Sequence, residues 1–177
     1  HNIDIVNWAF RRPPKSAIGV GGRQVYTTPA NGNAFDHIAV EFIYDPDIRT
    51  LSFSREWTGC ASRIGEKIVG TKGVAYPDRG IIAGERPYRS KASCNPYVQE
   101  HANLIQGIRD GKPLNEGRTV AESTLTALMG RITAYTGHEV TWDWVLNKSQ
   151  LDLSPPEYEL GTLPLPSVAQ PGITPLV

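Results

Sequence analysis

An excess of charge of either sign, cysteines in metal-binding spacing and long apolar runs are all missing from this sequence. Eighteen Lys and Arg balance eighteen Asp and Glu. That balance argues against a protein drawn to nucleic acid or an anionic membrane by long-range attraction. No apolar run approaches the roughly 20 residues of a membrane span. The two cysteines, Cys60 and Cys94, form no CxxC pair. They could pair with each other, but buried free thiols are the simpler expectation. No Walker sequence and no GxSxG occurs. The glycine-rich GVGGRQ, residues 19–24, lacks the third glycine of GxGxxG and no βαβ pattern surrounds it. Its glycines read as a bulge or a close strand approach, not a dinucleotide loop. A metal site needs three or more converging ligands. The pairs Asp36–His37 and Glu100–His101 do not supply them locally, so no metal is expected. His138 reads as a solvated turn residue.

What is present is enough to fold. The 177 residues are 40% hydrophobic and 20% charged, which favours one domain with a real core. The opening "HNIDIVNWAF" has helical spacing over about two turns, stopped by "RRPP". The period then changes to two. "HIAVEFIYD" places Ile38, Val40, Phe42 and Tyr44 on one face, with His37, Ala39, Glu41 and Ile43 on the other. "TLSFSREW" alternates likewise, and "DPDI" between them suits a hairpin turn. "SRIGEKIVGT" reads as another strand, and "GTKG" as a tight turn into "VAY". Short connections imply antiparallel pairing, and one apolar face per strand implies a sheet covered on one side.

The next third is helical. Asn95 suits a cap, Pro96 the first turn and Gly111 the position after the end. Tyr97, His101, Leu104, Ile105 and Ile108 form one stripe of the first long helix. Val120, Thr124, Leu128, Ile132 and Tyr135 form one on the second. "HEVTW" suggests a short strand, and Thr141 caps a last helical turn or two. From Leu153 the chain holds six of its fourteen prolines and no period. With apolar Leu160, Leu163, Leu165, Val168, Ile173 and Leu176, it is expected to lie as an extended arm along its own domain or a neighbour. The predicted architecture is α+β: a large, mainly antiparallel, open-faced sheet with helices packed on one face over residues 1–152, and the proline-rich arm over 153–177. The uncovered face is a candidate interface.

His1 and Asp4, three apart on a helix, share a face. Histidine is the natural acid/base near neutral pH, and a carboxylate one turn away can orient it. Spacing alone does not separate this from a terminus without a role.

The combination of "HNIDIVNW", "GGRQVYT", "GNAFDHIAVEF", "VGTKG", the block from Asn95 to Ser149 and "LDLSPPEYELG" resembles the glucose–fructose oxidoreductase / inositol dehydrogenase (Gfo/Idh/MocA) family, and within it a bacterial subgroup of dehydrogenases. The block from Asn95 is the most specific part. The resemblance implies a parent with an N-terminal Rossmann domain for NAD or NADP and a Glu-Lys-Pro lysine, neither of which is matched here. It implies an α+β second half whose open sheet face makes a homo-oligomer. The family's D-x-x-x-H-x-x-D is matched at its H-x-x-D end by His1 and Asp4. His1 thereby resembles the catalytic histidine. Asp4, Arg23, Asp36 and His37 are expected to line a pocket for a sugar-like substrate.

On this resemblance the chain is expected to be the cut end of an NAD(P)-dependent sugar or polyol oxidoreductase, inactive alone and binding no cofactor itself. A stand-alone carbohydrate-binding or oligomerisation module is one alternative. An NAD-dependent glycoside hydrolase is another, since some relatives cleave glycosides. The compartment is open between cytoplasm and periplasm.

Overall fold

The computed structural model describes residues 1–91, 94–161 and 164–177. Leu163, one of the apolar residues expected in the arm, lies outside the described residues. The elements follow in the order α1 (Asn2–Phe10), β1 (Ser16–Gly22), β2 (His37–Tyr44), β3 (Ile48–Arg55), β4 (Ile68–Gly70), β5 (Gly73–Tyr76), β6 (Ile81–Gly84), β7 (Tyr88–Arg89), α2 (Pro96–Arg109), α3 (Gly117–Thr136), β8 (Val140–Thr141) and α4 (Trp142–Asn147). The expected α+β class is present. Its antiparallel strands fall into two four-stranded sheets, ordered β3-β2-β1-β8 and β4-β5-β6-β7.

The chain divides into two compact units, one of His1–Val6 with Ala61–Ala121, the other of Asn7–Cys60 with Glu122–Val177. The first holds the start of α1, the small sheet and α2. Its strands are short because glycines interrupt the pairing: Gly70 pairs with Gly73 and Gly73 with Gly84. "SRIGEKIVGT" contributes only Ile68–Gly70 to a strand, so the longer strand expected there is not formed. On α2 the Asn95 side chain accepts from the Tyr97 N–H at 3.0 Å, and Gly111 ends the helix at φ 65°.

The second unit carries the larger core. In β1–β2–β3 the register sets Gly19 opposite Val40 and Val40 opposite Ser52. Even-numbered β2 residues therefore share one face with odd-numbered β1 residues. That face buries Ala17, Val40, Phe42 and Tyr44 beneath α3. The buried side of α3 is Thr126, Met129, Gly130, Ile132, Thr133, Ala134 and Thr136. Of the stripe expected from spacing, Ile132 is buried, but Val120 and Leu128 are exposed. Small residues let the helix approach the sheet closely. A Cβ on Gly130 would stand 3.0 Å from Phe42 Cζ, and one on Gly19 2.9 Å from the Ala39 carbonyl and 3.1 Å from Thr133 Cγ2.

Inside this core a polar chain is closed. Tyr44 donates to Asn7 Oδ1 at 2.7 Å, and Asn7 Nδ2 donates to Thr126 Oγ1 at 3.0 Å. Thr126 in turn donates to the Glu122 carbonyl at 2.8 Å. Burial pushes the Tyr44 phenol above its ordinary range.

Among the described residues the centre of the opposite sheet face is open. Ile18, Val20, Leu51 and Phe53 are exposed on it and, with Ala39 and Glu41, line a shallow concavity of about 260 Å³. The described residues of 153–177 form no helix or strand. Within the second unit they touch their own domain: the Gly172 N–H donates to the Thr136 carbonyl at 2.8 Å and Ser149 Oγ to the Val177 carbonyl at 3.0 Å. Cys60 and Cys94 are free and exposed rather than buried, because both fall in connections and not on a core-facing strand or helix position.

Candidate functional site

Between β1 and β2 the chain leaves the sheet and returns, over residues 23–36. Three of the residues expected to line a pocket meet there. Asp36 closes the excursion with a side chain that is fully buried. Its Oδ2 accepts from the backbone N–H groups of Gln24 at 2.6 Å, Val25 at 2.5 Å and Tyr26 at 2.9 Å. Its Oδ1 accepts from Trp57 Nε1 at 3.0 Å and from His37 Nδ1 at 2.7 Å. Burial by itself pushes this carboxyl up. The bonds from His37, the Tyr26 N–H, Trp57 and the Val25 N–H outweigh it and hold the group far below the usual carboxylate range. Asp36 is therefore a fixed anion.

Arg23 secures the same excursion from the other side. Its guanidinium donates to the Gly32 carbonyl at 2.9 Å and to the Tyr26 carbonyl. Its Nε is buried with no hydrogen-bond partner among the described residues. Phe35 anchors the loop to α3: its N–H donates to the Tyr135 hydroxyl at 2.8 Å and the two rings stack at 4.0 Å.

Unlike Asp36, His37 reaches solvent, its side chain 37% exposed. An ionised Asp36 can only accept, so Nδ1 carries the proton and, in the neutral ring, Nε2 is left as the acceptor. Trp57 meets the ring edge-on at 5.3 Å, and the Arg55 guanidinium lies 5.8 Å from the indole centroid. Trp57 was not singled out by sequence reasoning as a site residue. β3 ends at Arg55, so alternation along the strand gave no sign that Trp57 turns back to Asp36.

The remaining expected residues belong to the other unit. His1 is exposed and precedes α1, its carbonyl accepting from the Ile5 N–H at 3.1 Å. Asp4 is half-buried in the first turn. Glu100 and His101 are exposed on α2, where His101 Nδ1 donates to the Tyr97 carbonyl at 2.6 Å. Among the described residues no three His, Cys, Asp or Glu side chains gather as a metal site.

The glycine-rich 19–24 segment does not fit a dinucleotide. Gly19 and Gly21 sit in an antiparallel strand beneath α3, where a Cβ on Gly21 would stand 2.9 Å from the His37 carbonyl and 3.3 Å from Ala134 Cβ. Their missing side chains accommodate the helix and leave no backbone cradle for a pyrophosphate. Among the described residues no helix is long and apolar enough to cross a membrane.

These features define an α+β chain with a carboxylate-oriented histidine at the start of β2. No family model matches the chain, and no curated protein matches it. Solved structures do resemble it in fold. One is a candidate oxidoreductase from Thermotoga maritima, at TM-score 0.57 and 17% identity over 78% of this chain and 44% of that one. Another is the WlbA dehydrogenase from Bordetella pertussis, solved with NADH and UDP-GlcNAcA, at TM-score 0.56 and 17% identity over 80% of this chain and 42% of that one. The chain thus spans less than half the length of either protein.

Proposed function

We propose that this chain is the substrate-side half of a Gfo/Idh/MocA-type oxidoreductase that acts, with NAD or NADP, on a hydroxyl or carbonyl of a sugar-like or polyol substrate. The observation that carries this reading is the lopsided likeness. About four fifths of this chain superimposes on an oxidoreductase and a dehydrogenase of which it fills less than half. The remainder of such a protein has room for a nucleotide-binding domain, which this chain's glycines do not provide. In this reading residues 1–152 are the substrate domain and 153–177 an arm upon it.

The chain's own chemistry is then proton handling. His1 removes the proton from the carbinol oxygen during oxidation and returns it in the reverse direction. Asp4, one turn on along the same helix, orients the ring. A nicotinamide held by the other domain is the hydride partner. In the other unit, Arg23 and Asp36 shape the 23–36 loop and orient His37.

A homo-oligomer joined through the apolar centre of the open face is part of the same proposal. The exposure of Ile18, Val20, Leu51 and Phe53 supports it, and it equally favours a pure assembly module as a second reading. The intact gene product separates the two. It should bind NADH and oxidise a polyol, whereas an assembly module does neither. Cleavage of a glycoside without net nicotinamide reduction would instead identify a hydrolase.

A further inference from the structure

Residues 164–177 belong to the same compact unit as the 23–36 loop and the end of α3. They form no helix or strand, and none of them is buried. Their place is set by attachments at separate points. One is at the loop. A Cβ on Gly32 would stand 3.6 Å from Leu165 Cδ1 and 3.9 Å from its Cδ2. Leu165 therefore lies beside the residue whose carbonyl receives Arg23. Another is at the last turn of α3. The Thr136 carbonyl is of the kind that a helix end leaves without a partner, and the Gly172 N–H supplies one at 2.8 Å. Glycines permit that approach. Gly137 and Gly172 have φ of 77° and 84°, and a Cβ on Gly137 would stand 3.0 Å from the Gly172 nitrogen. A closed turn shapes the chain there. The Thr174 N–H donates to the Gln170 carbonyl at 2.8 Å and the Gln170 N–H to Thr174 Oγ1 at 2.7 Å. At the end, Ser149 Oγ donates to the Val177 carbonyl at 3.0 Å.

The loop and the arm use neighbouring residues of α3. Tyr135 receives the Phe35 N–H and stacks on its ring, while Thr136 receives Gly172. Phe35 and Asp36 anchor the loop at its far end only. Between Tyr26 and Phe35 its one regular piece is the short turn of Pro29–Asn31. A stretch with so little ladder opens readily unless it is held from outside. We infer that residues 164–177 act as a strap that holds the 23–36 loop to the end of α3, and so keeps the N–H groups of Gln24, Val25 and Tyr26 on Asp36. The strap is a conformational device. While it is seated, Asp36 keeps its donors and fixes the proton on His37 Nδ1. Its release frees the middle of the loop and loosens that arrangement. Tyr158 and Leu160, ahead of the strap, are exposed, so it is held by its own attachments. The device is independent of the redox step of the proposed function.

Amide hydrogen exchange of the chain, read residue by residue by ¹H–¹⁵N NMR, tests it. Two variants loosen the strap at different points. Leu165→Asp sets a charge beside Gly32. Gly172→Pro removes the N–H given to Thr136, at a φ that proline does not adopt. Each should speed exchange at Gln24, Val25 and Tyr26 about tenfold or more, and leave Val40 and Phe42 in the central strand at their wild-type rates. Unchanged rates at residues 24–26 in both variants overturn the inference. So does an equal rise at Val40 and Phe42, which marks a general loss of stability and no hold on the loop. Should Gly172→Pro fail to fold, Leu165→Asp carries the test alone, since Leu165 is exposed and outside the core.

Discussion

At the scale of single residues, Asp36 shows how a carboxylate becomes a structural fixture. Its charged form is held by hydrogen bonds, so its folded pKa lies below the unfolded value near 4. The stability it contributes is complete above that pH and is lost as pH falls below it. Asp36→Asn should therefore lower Tm at neutral pH. The gap from the wild type should narrow as melting curves are taken from pH 5 downward; a gap that widens in acid would contradict the assignment. Tyr44 makes a second case. Tyr44→Phe leaves Asn7 Oδ1 without its 2.7 Å donor in the core, and should destabilise the protein by about 1–3 kcal/mol in urea titrations. Little of this was legible in the sequence. "FDH" announced an Asp beside a His, but the partners of Asp36 come from residues 24–26 and from Trp57, and only the folded loop supplies them.

At the scale of elements, local chemistry was readable where it decides local structure. Asn95-Pro96 opens α2 and Gly111 closes it, as capping rules require, and Thr141 caps α4. The alternation in "HIAVEFIYD" correctly separated the buried Val40, Phe42 and Tyr44 from the other face. The reading of α3 found Ile132 but missed much of the buried face, because spacing arguments count large apolar residues. Beside Met129 and Ile132 the helix turns small residues inward, Thr126, Gly130, Thr133 and Ala134, since close approach to a sheet rewards short side chains. Gly19→Ala tests this directly. The added methyl meets the Ala39 backbone at 2.9 Å, which a flexible neighbour cannot relieve, and should cost about 1–3 kcal/mol by overpacking. Neutral or improved stability in chemical denaturation would mean that α3 sits farther from the sheet. "SRIGEKIVGT" failed as a long strand for a related reason: alternation over Ile64, Glu66 and Ile68 was real, but among the described residues no ladder includes residues 61–67.

At the scale of the whole molecule, the exposed apolar centre of the larger sheet is the feature that most needs a partner. The chain should sediment as a dimer or larger. Phe53→Lys, which sets a charge among Val20, Ala39 and Leu51, should shift it to a smaller species by light scattering without altering its circular dichroism. An unchanged mass would remove this face from the interface. The fold class was legible because short turns and period-two strands followed by capped helices constrain the architecture strongly. The division of strands into two sheets was not, since pairing between distant segments leaves no local mark. The proposed function rests, on the side of the sequence, on "HNID" and the resemblance around it.

The central claim, that this chain is half of a nicotinamide-dependent enzyme, is tested most directly by the fluorescence of NADH and NADPH titrated with the intact gene product, and by the formation of reduced nicotinamide from a polyol panel in the same preparation. The account predicts saturable binding of one nucleotide, and turnover that falls about 10²–10⁴-fold when His1 is replaced by Ala. Failure to bind either nucleotide, or turnover indifferent to His1, would contradict it.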